Sequence, residues 1–126
     1  MATLVNEGLV VRAKLTNGVY SGASYYFTDY VLGSVAGTEA ITRVLSDMTV
    51  ITTNGGARAA ATTSYVADYK AQWVHTFTFT GDLTIYNIGI VNATDEMLMW
   101  HEFTTPVVVH NGETAQITVT ETEGRA

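Results

Sequence analysis

The sequence predicts a mainly β fold, an antiparallel β-sandwich of jelly-roll-like type with a short N-terminal helix. Beyond Met48, β-branched and aromatic residues alternate with polar ones in short runs, which is typical of half-buried strands. Turn residues recur at Asn54-Gly55-Gly56, Gly81-Asp82, Asn92-Ala93-Thr94-Asp95 and Asn111-Gly112. Short strands that recur at a spacing of about ten residues are typical of sandwiches and barrels. A chain of 126 residues also fits one hydrophobic core, so we expect residues 1–126 to form one domain.

The two ends of the chain differ from this β pattern. Residues 1–18 are predicted to form a helix, over Thr3 to Thr16, or an arm exchanged with a neighbouring subunit. The positions at helical spacing are Leu4, Gly8, Val11 and Leu15, and Asn17-Gly18 supplies a stop signal. Residues 121–126 are polar and predicted to be a flexible tail.

The remaining segments are interpreted from their alternation and their turn residues. Strands are predicted over Tyr25–Leu32, Trp73–Thr80, Leu83–Val91, Glu96–Phe103, Val107–Val109 and Ala115–Thr120. Residues 37–48 are predicted to form a short helix or a helical turn.

Several residues in or beside these strands carry more specific predictions. Phe77 and Phe79 share one face of their strand and are predicted core residues. Gly81-Asp82 is predicted to join the second and third of these runs, Trp73–Thr80 and Leu83–Val91, as paired strands, with Gly89 at a bulge or a close backbone approach. Pro106 cannot donate a ladder hydrogen bond, so we expect it at a sheet edge or a strand start.

Composition limits the partners. The net charge is −6 and the six Lys and Arg residues are scattered, so no basic stripe for nucleic acid is expected. The charged fraction of 14% lies below the roughly 25% of an ordinary domain, which indicates a surface covered by a partner, or else one made polar by Thr and Asn. Neither a secretory signal nor a membrane span is expected. Without cysteine, no disulfide framework is expected.

The titratable residues do not predict chemistry. His75, His101 and His110 lack metal-ligand spacing, and His101 and Glu102 are neighbours on a strand, where side chains point to opposite faces. Asp29 is interpreted as an edge-strand charge that discourages sheet extension, with a buried catalytic acid as the alternative. We therefore predict no catalytic, metal-ligating or cofactor-binding residues, and no enzyme.

Several motifs, taken in order along nearly the whole chain, resemble small structural proteins of tailed bacteriophages that are described as decoration, tail or virion proteins. The motifs are Leu4-Val5-Asn6-Glu7-Gly8-Leu9, Ala57-Arg58-Ala59-Ala60-Ala61, His75-Thr76-Phe77-Thr78-Phe79-Thr80-Gly81, Ile88-Gly89-Ile90-Val91-Asn92-Ala93, Met97-Leu98-Met99-Trp100-His101-Glu102-Phe103, Pro106-Val107-Val108-Val109 and Asn111-Gly112-Glu113-Thr114. Similar proteins often carry a Gly-Thr-Gly-like segment where this chain has Val31-Leu32-Gly33-Ser34, and an arginine at the position of His101. The resemblance implies a virion component made in the host cytoplasm.

Three functions follow as hypotheses. The first is a capsid decoration (cement) protein that binds the major capsid protein as a homo-oligomer, such as a trimer, and the second is a tail or tail-fibre adaptor. The third is a glycan-binding module that stacks sugars on Trp and Tyr side chains. The residues predicted to contact a partner are Tyr20, Tyr25, Tyr26, Tyr30, Tyr65, Tyr69 and Trp100.

Overall fold

A computed structural model of the protein describes residues 2–66 and 69–122. The described chain begins with a two-residue strand and one α-helix, and the elements that follow are strands and two 3-10 turns. The elements are β1 (Thr3–Leu4), α1 (Asn6–Thr16), β2 (Asp29–Gly33), β3 (Ala59–Ala60), β4 (Thr62–Tyr65), β5 (Lys70–Thr78), β6 (Leu83–Val91), β7 (Met97–Val109) and β8 (Thr114–Thr122). Short 3-10 turns cover Ala23–Tyr25 and Leu45–Asp47.

The strands form two antiparallel sheets in a sandwich-like arrangement. The larger sheet has the order β1-β7-β6-β2-β3, and the smaller has the order β4-β5-β8. The main hydrophobic cluster takes residues from both sheets, including Phe77 and Phe79. The mainly β fold with a short N-terminal helix is therefore confirmed, and so is the core position of these two phenylalanines.

The predicted pairing of the strands on either side of Gly81-Asp82 is wrong. The first of them, β5, pairs with β4 and β8, whereas β6 pairs with β2 and β7. Phe79 makes its backbone hydrogen bonds with the segment that precedes β8: its N–H donates to Glu113 O at 2.9 Å, and its C=O accepts from Gly112 N–H at 2.8 Å. The chain therefore stays with the smaller sheet as far as Phe79 and crosses to the larger sheet only after it. A turn signal in the sequence therefore marked a crossover and not a hairpin.

The N-terminal segment is a packed helix preceded by a strand. Thr3 and Leu4 pair with Trp100 and Met99 of β7, so the helix is shorter than predicted at its beginning. Gly8 and Val11 are the buried positions of α1, as its spacing predicts. The helix ends at Thr16, and Gly18 adopts φ 81°, a conformation that glycine permits at no steric cost.

Two other predicted elements differ in extent. The predicted strand Tyr25–Leu32 is β2 over Asp29–Gly33, because Ala23–Tyr25 form a 3-10 turn instead. Residues 37–48 contain the 3-10 turn Leu45–Asp47 and no α-helix, which agrees with the helical-turn alternative. The N–H of Gly37 donates to the Glu102 carboxylate at 2.9 Å, and this contact attaches the beginning of the segment to β7.

Strand β7 runs through Pro106, where two separate strands were predicted. Ile85 pairs with Val107 and Asn87 pairs with Glu102, so residues 103–106 bulge opposite Tyr86. A bulge leaves backbone groups unpaired, and here β1 pairs only with Met99 and Trp100 on the other side of β7. Pro106 therefore lies at an unpaired part of β7, and the expectation of an edge position is confirmed.

The interior of the larger sheet requires a close approach at Gly89. A Cβ atom there would lie 2.9 Å from the Met97 side chain and 3.2 Å from the Met99 carbonyl. The second alternative predicted for this glycine, a close backbone approach, is thus the one observed.

A second, smaller cluster covers the outer face of the larger sheet. Its residues are Val5, Val31, Met48, Val91, Met97 and Trp100, so this sheet is covered on both faces.

The C-terminal tail begins later than predicted. Glu121 and Thr122 belong to β8, and residues 123–126 lie outside the described residues. Within the described part of the chain, no helix combines the length and apolarity needed to cross a lipid bilayer.

Candidate functional site

Three of the tyrosines predicted to contact a partner project into solvent. Tyr26, Tyr65 and Tyr69 are 55%, 76% and 53% exposed. Tyr65 and Tyr69 flank the turn from β4 to β5, and Val66 beside them is also exposed. Tyr26 and Tyr65 line one groove of about 440 Å³, with Trp73 as part of its wall. We call Tyr26, Tyr65, Val66 and Tyr69 the tyrosine patch.

Three residues of the tyrosine patch, Tyr65, Val66 and Tyr69, lie where β4 ends and β5 begins, and backbone pairing joins these two strand ends. The Val66 N–H donates to Lys70 O at 2.9 Å, and Tyr65 pairs with Ala71 across the two strands. Tyr69 has φ 67°, a left-handed conformation that is uncommon and costly for a bulky residue. Such strained residues concentrate at binding sites, so the conformation of Tyr69 is consistent with a contact role.

Tyr20 and Tyr25 are half-buried and have an intramolecular role. Their rings stack with centroids 4.1 Å apart and planes inclined by 10°. The ammonium group of Lys14 lies 4.8 Å from the Tyr20 ring centroid, within the range of a cation–π interaction. Both rings also pack against the main core, so only part of each remains for a partner.

The prediction that Tyr30 is a surface contact residue is wrong. Tyr30 is fully buried, and its hydroxyl donates to Trp73 O at 2.8 Å in the opposite sheet. Burial raises the pKa of Tyr30 to about 12, although a backbone hydrogen bond with Val119 acts in the other direction. A polar tip that finds a backbone acceptor lets an aromatic ring enter a core.

The same prediction is wrong for Trp100, which is 1% exposed. It lies in the second cluster under the segment 37–48, where a Cβ atom on Gly37 would lie 3.2 Å from its ring. Its indole N–H donates to Glu102 Oε1 at 3.0 Å. Trp100 is therefore not available as a platform for stacking a sugar.

A second accessible feature is the open side of the sandwich between β7 and β8. It contains an apolar cleft of about 510 Å³, which we call the sheet cleft. Its apolar walls include Phe79, Ile85, Ile88, Met99, Phe103, Val107, Ile117 and Val119. A volume of this size is typical of ligand pockets. The exposed side chains of β8 alternate with half-buried ones along its whole length.

A carboxylate network joins the 37–39 segment to β7. Glu39 accepts hydrogen bonds from the Thr3 hydroxyl and from the Glu102 N–H, and its Oε1 lies 3.5 Å from His101 Nδ1. Burial raises the pKa of Glu39, but these hydrogen bonds and the charge of His101 outweigh burial and hold it below its usual value. The Glu39 carboxylate thus lies within ion-pairing distance of His101, although no hydrogen bond to His101 Nδ1 is found among the described residues. Sequence spacing could not indicate this proximity, because 62 positions separate the two residues.

Glu102 points away from His101, as expected for strand neighbours. Its Oε1 accepts from the amide of Asn87 at 3.0 Å and from the Trp100 indole, whereas His101 lines the sheet cleft. The network attaches a covering segment to the larger sheet, which is a structural role.

Asp29 is ion-paired and does not lie at a free edge. The guanidinium of Arg58 lies 2.8 Å from the Asp29 carboxylate and 2.6 Å from that of Asp95, and it also donates to Asn92 O at 2.7 Å. Asp29 pairs with Val91 on one side and Ala60 on the other, so the edge interpretation is wrong. Although burial lowers it, these carboxylates raise the pKa of Arg58 above its usual value.

His75 and His110 do not take part in the Glu39 network and have separate contacts. His75 makes an edge contact with Phe77, with centroids 4.5 Å apart, and His110 Nδ1 lies 3.0 Å from Asp82 Oδ1 on the surface. The hydrogen bond and charge of Asp82 raise the pKa of His110. Among residues 2–66 and 69–122, no group of three or more His, Asp or Glu side chains is placed to hold a metal ion.

Two features of the described surface are therefore candidates for partner contact: the tyrosine patch and the side of the sandwich that carries β8 and the sheet cleft. Sequence reasoning identified Tyr26, Tyr65 and Tyr69 and the strand that became β8, but it missed the edge position of β8, because alternation shows that a strand exists and not which strands lie beside it. Comparison of the chain with protein-family models, curated proteins and solved structures finds no match.

Proposed function

We propose that this chain is a non-enzymatic structural protein of a virus particle, a capsid decoration protein of a tailed bacteriophage that binds the outer shell as a homo-oligomer. The observation that carries the docking role is the tyrosine patch, a set of exposed side chains of which three lie at the backbone-paired ends of β4 and β5. Tyrosine is enriched at protein interfaces because it offers a large apolar body with a polar tip. The virion assignment draws its support from the ordered sequence motifs.

The proposed mechanism is linkage between binding and shell stability. A protein that binds only the assembled shell stabilises that shell in proportion to its occupancy. Repetition on a lattice allows many weak contacts to act together. The perturbed groups Glu39, Arg58 and His110 are each engaged in structural contacts, which supports docking in preference to catalysis.

The first experiment is a cryo-EM reconstruction, with copy counting, of the particle that carries this chain. Density at every local symmetry axis of the shell supports decoration. Density confined to one vertex supports the tail or tail-fibre adaptor instead, because that adaptor would use the same surfaces in one ring. Absence from the particle overturns the virion assignment.

A binding assay tests the tyrosine patch itself. Purified protein is added to particles that lack it, and occupancy is compared for wild type, Tyr65→Ser and Tyr69→Ser. We expect both substitutions to reduce occupancy. The matched control is Ile41→Ser, since Ile41 is 57% exposed on the segment that covers the outer face of the larger sheet. Equal loss with all three variants overturns the assignment of the patch.

One observation favours a glycan-binding module as the second candidate. Tyr26 and Tyr65 flank a shared groove, and exposed aromatic rings can stack on sugars. A glycan-array signal that disappears with Tyr65→Ala and persists with Ile41→Ser would support this function.

A further inference from the structure

The sheet edges of this protein are not alike. Strands β1, β3 and β4 are two, two and four residues long, and the unpaired part of β7 carries Pro106 and a bulge. Short strands, proline and bulges all blunt an edge against pairing with another chain. By contrast, β8 has nine residues, continuous pairing with β5 and no proline or lysine. Among the described residues, no strand pairs with its outer side.

The direction of the free backbone groups follows from the hydrogen bonds at the two ends of β5. Phe79 N–H donates to Glu113 O on the side of β8, and Val66 N–H donates to Lys70 O on the side of β4. Because hydrogen-bonded pairs alternate along an antiparallel ladder, the odd-numbered residues of β8 bond to β5. The residues that direct their N–H and C=O groups to the open edge are Thr114, Gln116, Thr118, Thr120 and Thr122.

Thr118 is the midpoint of β8 and belongs to this outward set. A second β8 strand, related by a two-fold axis through Thr118, would therefore pair along the full length of the strand. Thr118 would lie opposite its own copy, Gln116 opposite Thr120, and Thr114 opposite Thr122. Thr–Thr pairs of this type stabilise antiparallel strands.

Charge does not oppose this register. The one charged residue of β8, Glu121, would lie opposite Ala115, and it is already paired with Arg12 of its own chain. On the inner face, Ile117 would lie opposite Val119, and both residues line the mouth of the sheet cleft. The pairing would thus extend apolar surface beside the cleft and bring no like charges together within the strand.

From this self-complementarity we propose that β8 is a homodimer interface, in which two copies join antiparallel at Thr118 to form one continuous six-stranded sheet, β4-β5-β8-β8-β5-β4. The interface is isologous, so each copy contributes the same residues. This inference deepens the homo-oligomer part of the proposed function and names a two-fold dimer as the building unit.

A charge-swap experiment on the isolated protein tests the register. One variant carries Gln116→Lys, Thr118→Lys and Thr120→Lys, and the other carries glutamate at the same positions. Each homodimer would place like charges directly opposite one another, which destabilises strand pairing. We expect wild type to sediment as a dimer, each variant alone as a monomer, and the equimolar mixture as a dimer. Both variants keep a net negative charge, so overall attraction between them does not explain recovery.

The matched control places lysine at Gln72, Val74 and Thr76. These residues lie directly opposite Thr120, Thr118 and Gln116 on the same face of the sheet, but in its middle strand. We expect this control to remain a dimer. A wild-type monomer at all concentrations, or a mixture that stays monomeric, overturns the proposal.

Cysteine cross-linking keeps the test decisive if the charged variants do not fold. The chain has no cysteine, and a hydrogen-bonded pair places Cα atoms about 5.5 Å apart, within the range that a disulfide bridges. Thr118→Cys should cross-link rapidly to its copy. Thr114→Cys should not, because its two copies would lie roughly 25 Å apart across the axis. Equal cross-linking of the two variants overturns the register.

The two proposals fail separately. A monomer that still binds particles overturns the β8 dimer and leaves the decoration function supported. A dimer without affinity for any particle does the reverse.

Discussion

The hydroxyl group of Tyr30 shows how one hydrogen bond allows a tyrosine side chain to be buried in the core. Tyrosine at the surface and tyrosine in the core read the same in the sequence, but this hydroxyl finds the Trp73 carbonyl at 2.8 Å between the sheets. In the opposite direction, the Trp73 indole N–H donates to Phe27 O at 2.7 Å. Both aromatic residues therefore enter the core with their polar groups satisfied.

We expect Tyr30→Phe to lower the free energy of unfolding by about 1–2 kcal/mol, because the hydrogen bond between the sheets is lost and a buried carbonyl loses a donor. Urea denaturation followed by circular dichroism measures this change. The control is Tyr26→Phe, whose ring is exposed and which should leave stability unchanged within error. A loss of equal size in both variants would contradict the role of the buried hydroxyl.

His110 provides a prediction for pH. Its pKa is raised first by the hydrogen bond to Asp82 and then by the charge of Asp82, so Asp82→Asn should lower the pKa of His110 toward 6.5. A raised pKa in the folded state means that this contact stabilises the protein fully below the unfolded pKa and is lost as pH rises through the folded pKa. NMR titration of the His110 ring in wild type and in Asp82→Asn measures the shift. An unchanged His110 pKa would rule out the contact.

At the scale of elements, helix α1 is positioned by contact and not by its own sequence preference. Its N-cap, Val5, makes no side-chain cap hydrogen bond. Instead, the Glu7 carboxylate accepts the Met97 N–H at 2.7 Å, and the Val5 N–H donates to Leu98 O at 3.0 Å. Most helical stability in proteins comes from such tertiary packing.

Gly8 allows this approach, and we expect Gly8→Ala to destabilise the protein. Alanine favours a helix over glycine by about 1 kcal/mol, but its Cβ would lie 2.6 Å from Leu98 Cα and 2.9 Å from two backbone oxygens. Overpacking of this kind costs about 1–3 kcal/mol, so the net effect is a lower thermal midpoint. The control is Val10→Ala on the exposed face of α1, which should be neutral or slightly stabilising. A gain in stability for Gly8→Ala would contradict the close packing.

At the scale of the whole molecule, the two sheets share one core. Trp73 lies in the smaller sheet and Trp100 in the larger, so each tryptophan reports on a different sheet. Because Phe27, Tyr30, Phe77 and Phe79 belong to one cluster, the sheets should unfold together.

Two single-tryptophan variants test this cooperativity. In Trp73→Phe the fluorescence reports the larger sheet, and in Trp100→Phe it reports the smaller. We expect the fluorescence midpoint in urea to coincide with the circular dichroism midpoint for each variant, as a two-state transition requires. Separate midpoints within one variant would show that the sheets unfold independently.

The features that were predicted correctly depend on interactions between residues close together in the chain. Alternation along the predicted strand Trp73–Thr80 placed Phe77 and Phe79 in the core, because successive strand residues point to opposite faces. Helical spacing and Asn17-Gly18 indicated α1 and its end. The Asn111-Gly112 turn exists, with Gly112 at φ 87°, because few other residues adopt that conformation without strain.

Strand neighbours and the burial of individual aromatic residues could not be predicted, because they depend on contacts between distant parts of the chain. The turns at Gly81-Asp82 and Asn111-Gly112 both join different sheets, since a turn signal does not specify the partner of the strand that follows. Trp100 is buried because the distant segment 37–48 covers it, and β8 is an open edge because β5 pairs with one of its sides and, among the described residues, no strand pairs with the other. Pairing and burial arise from contacts between residues far apart in the chain, so the local pattern of one strand does not predict them.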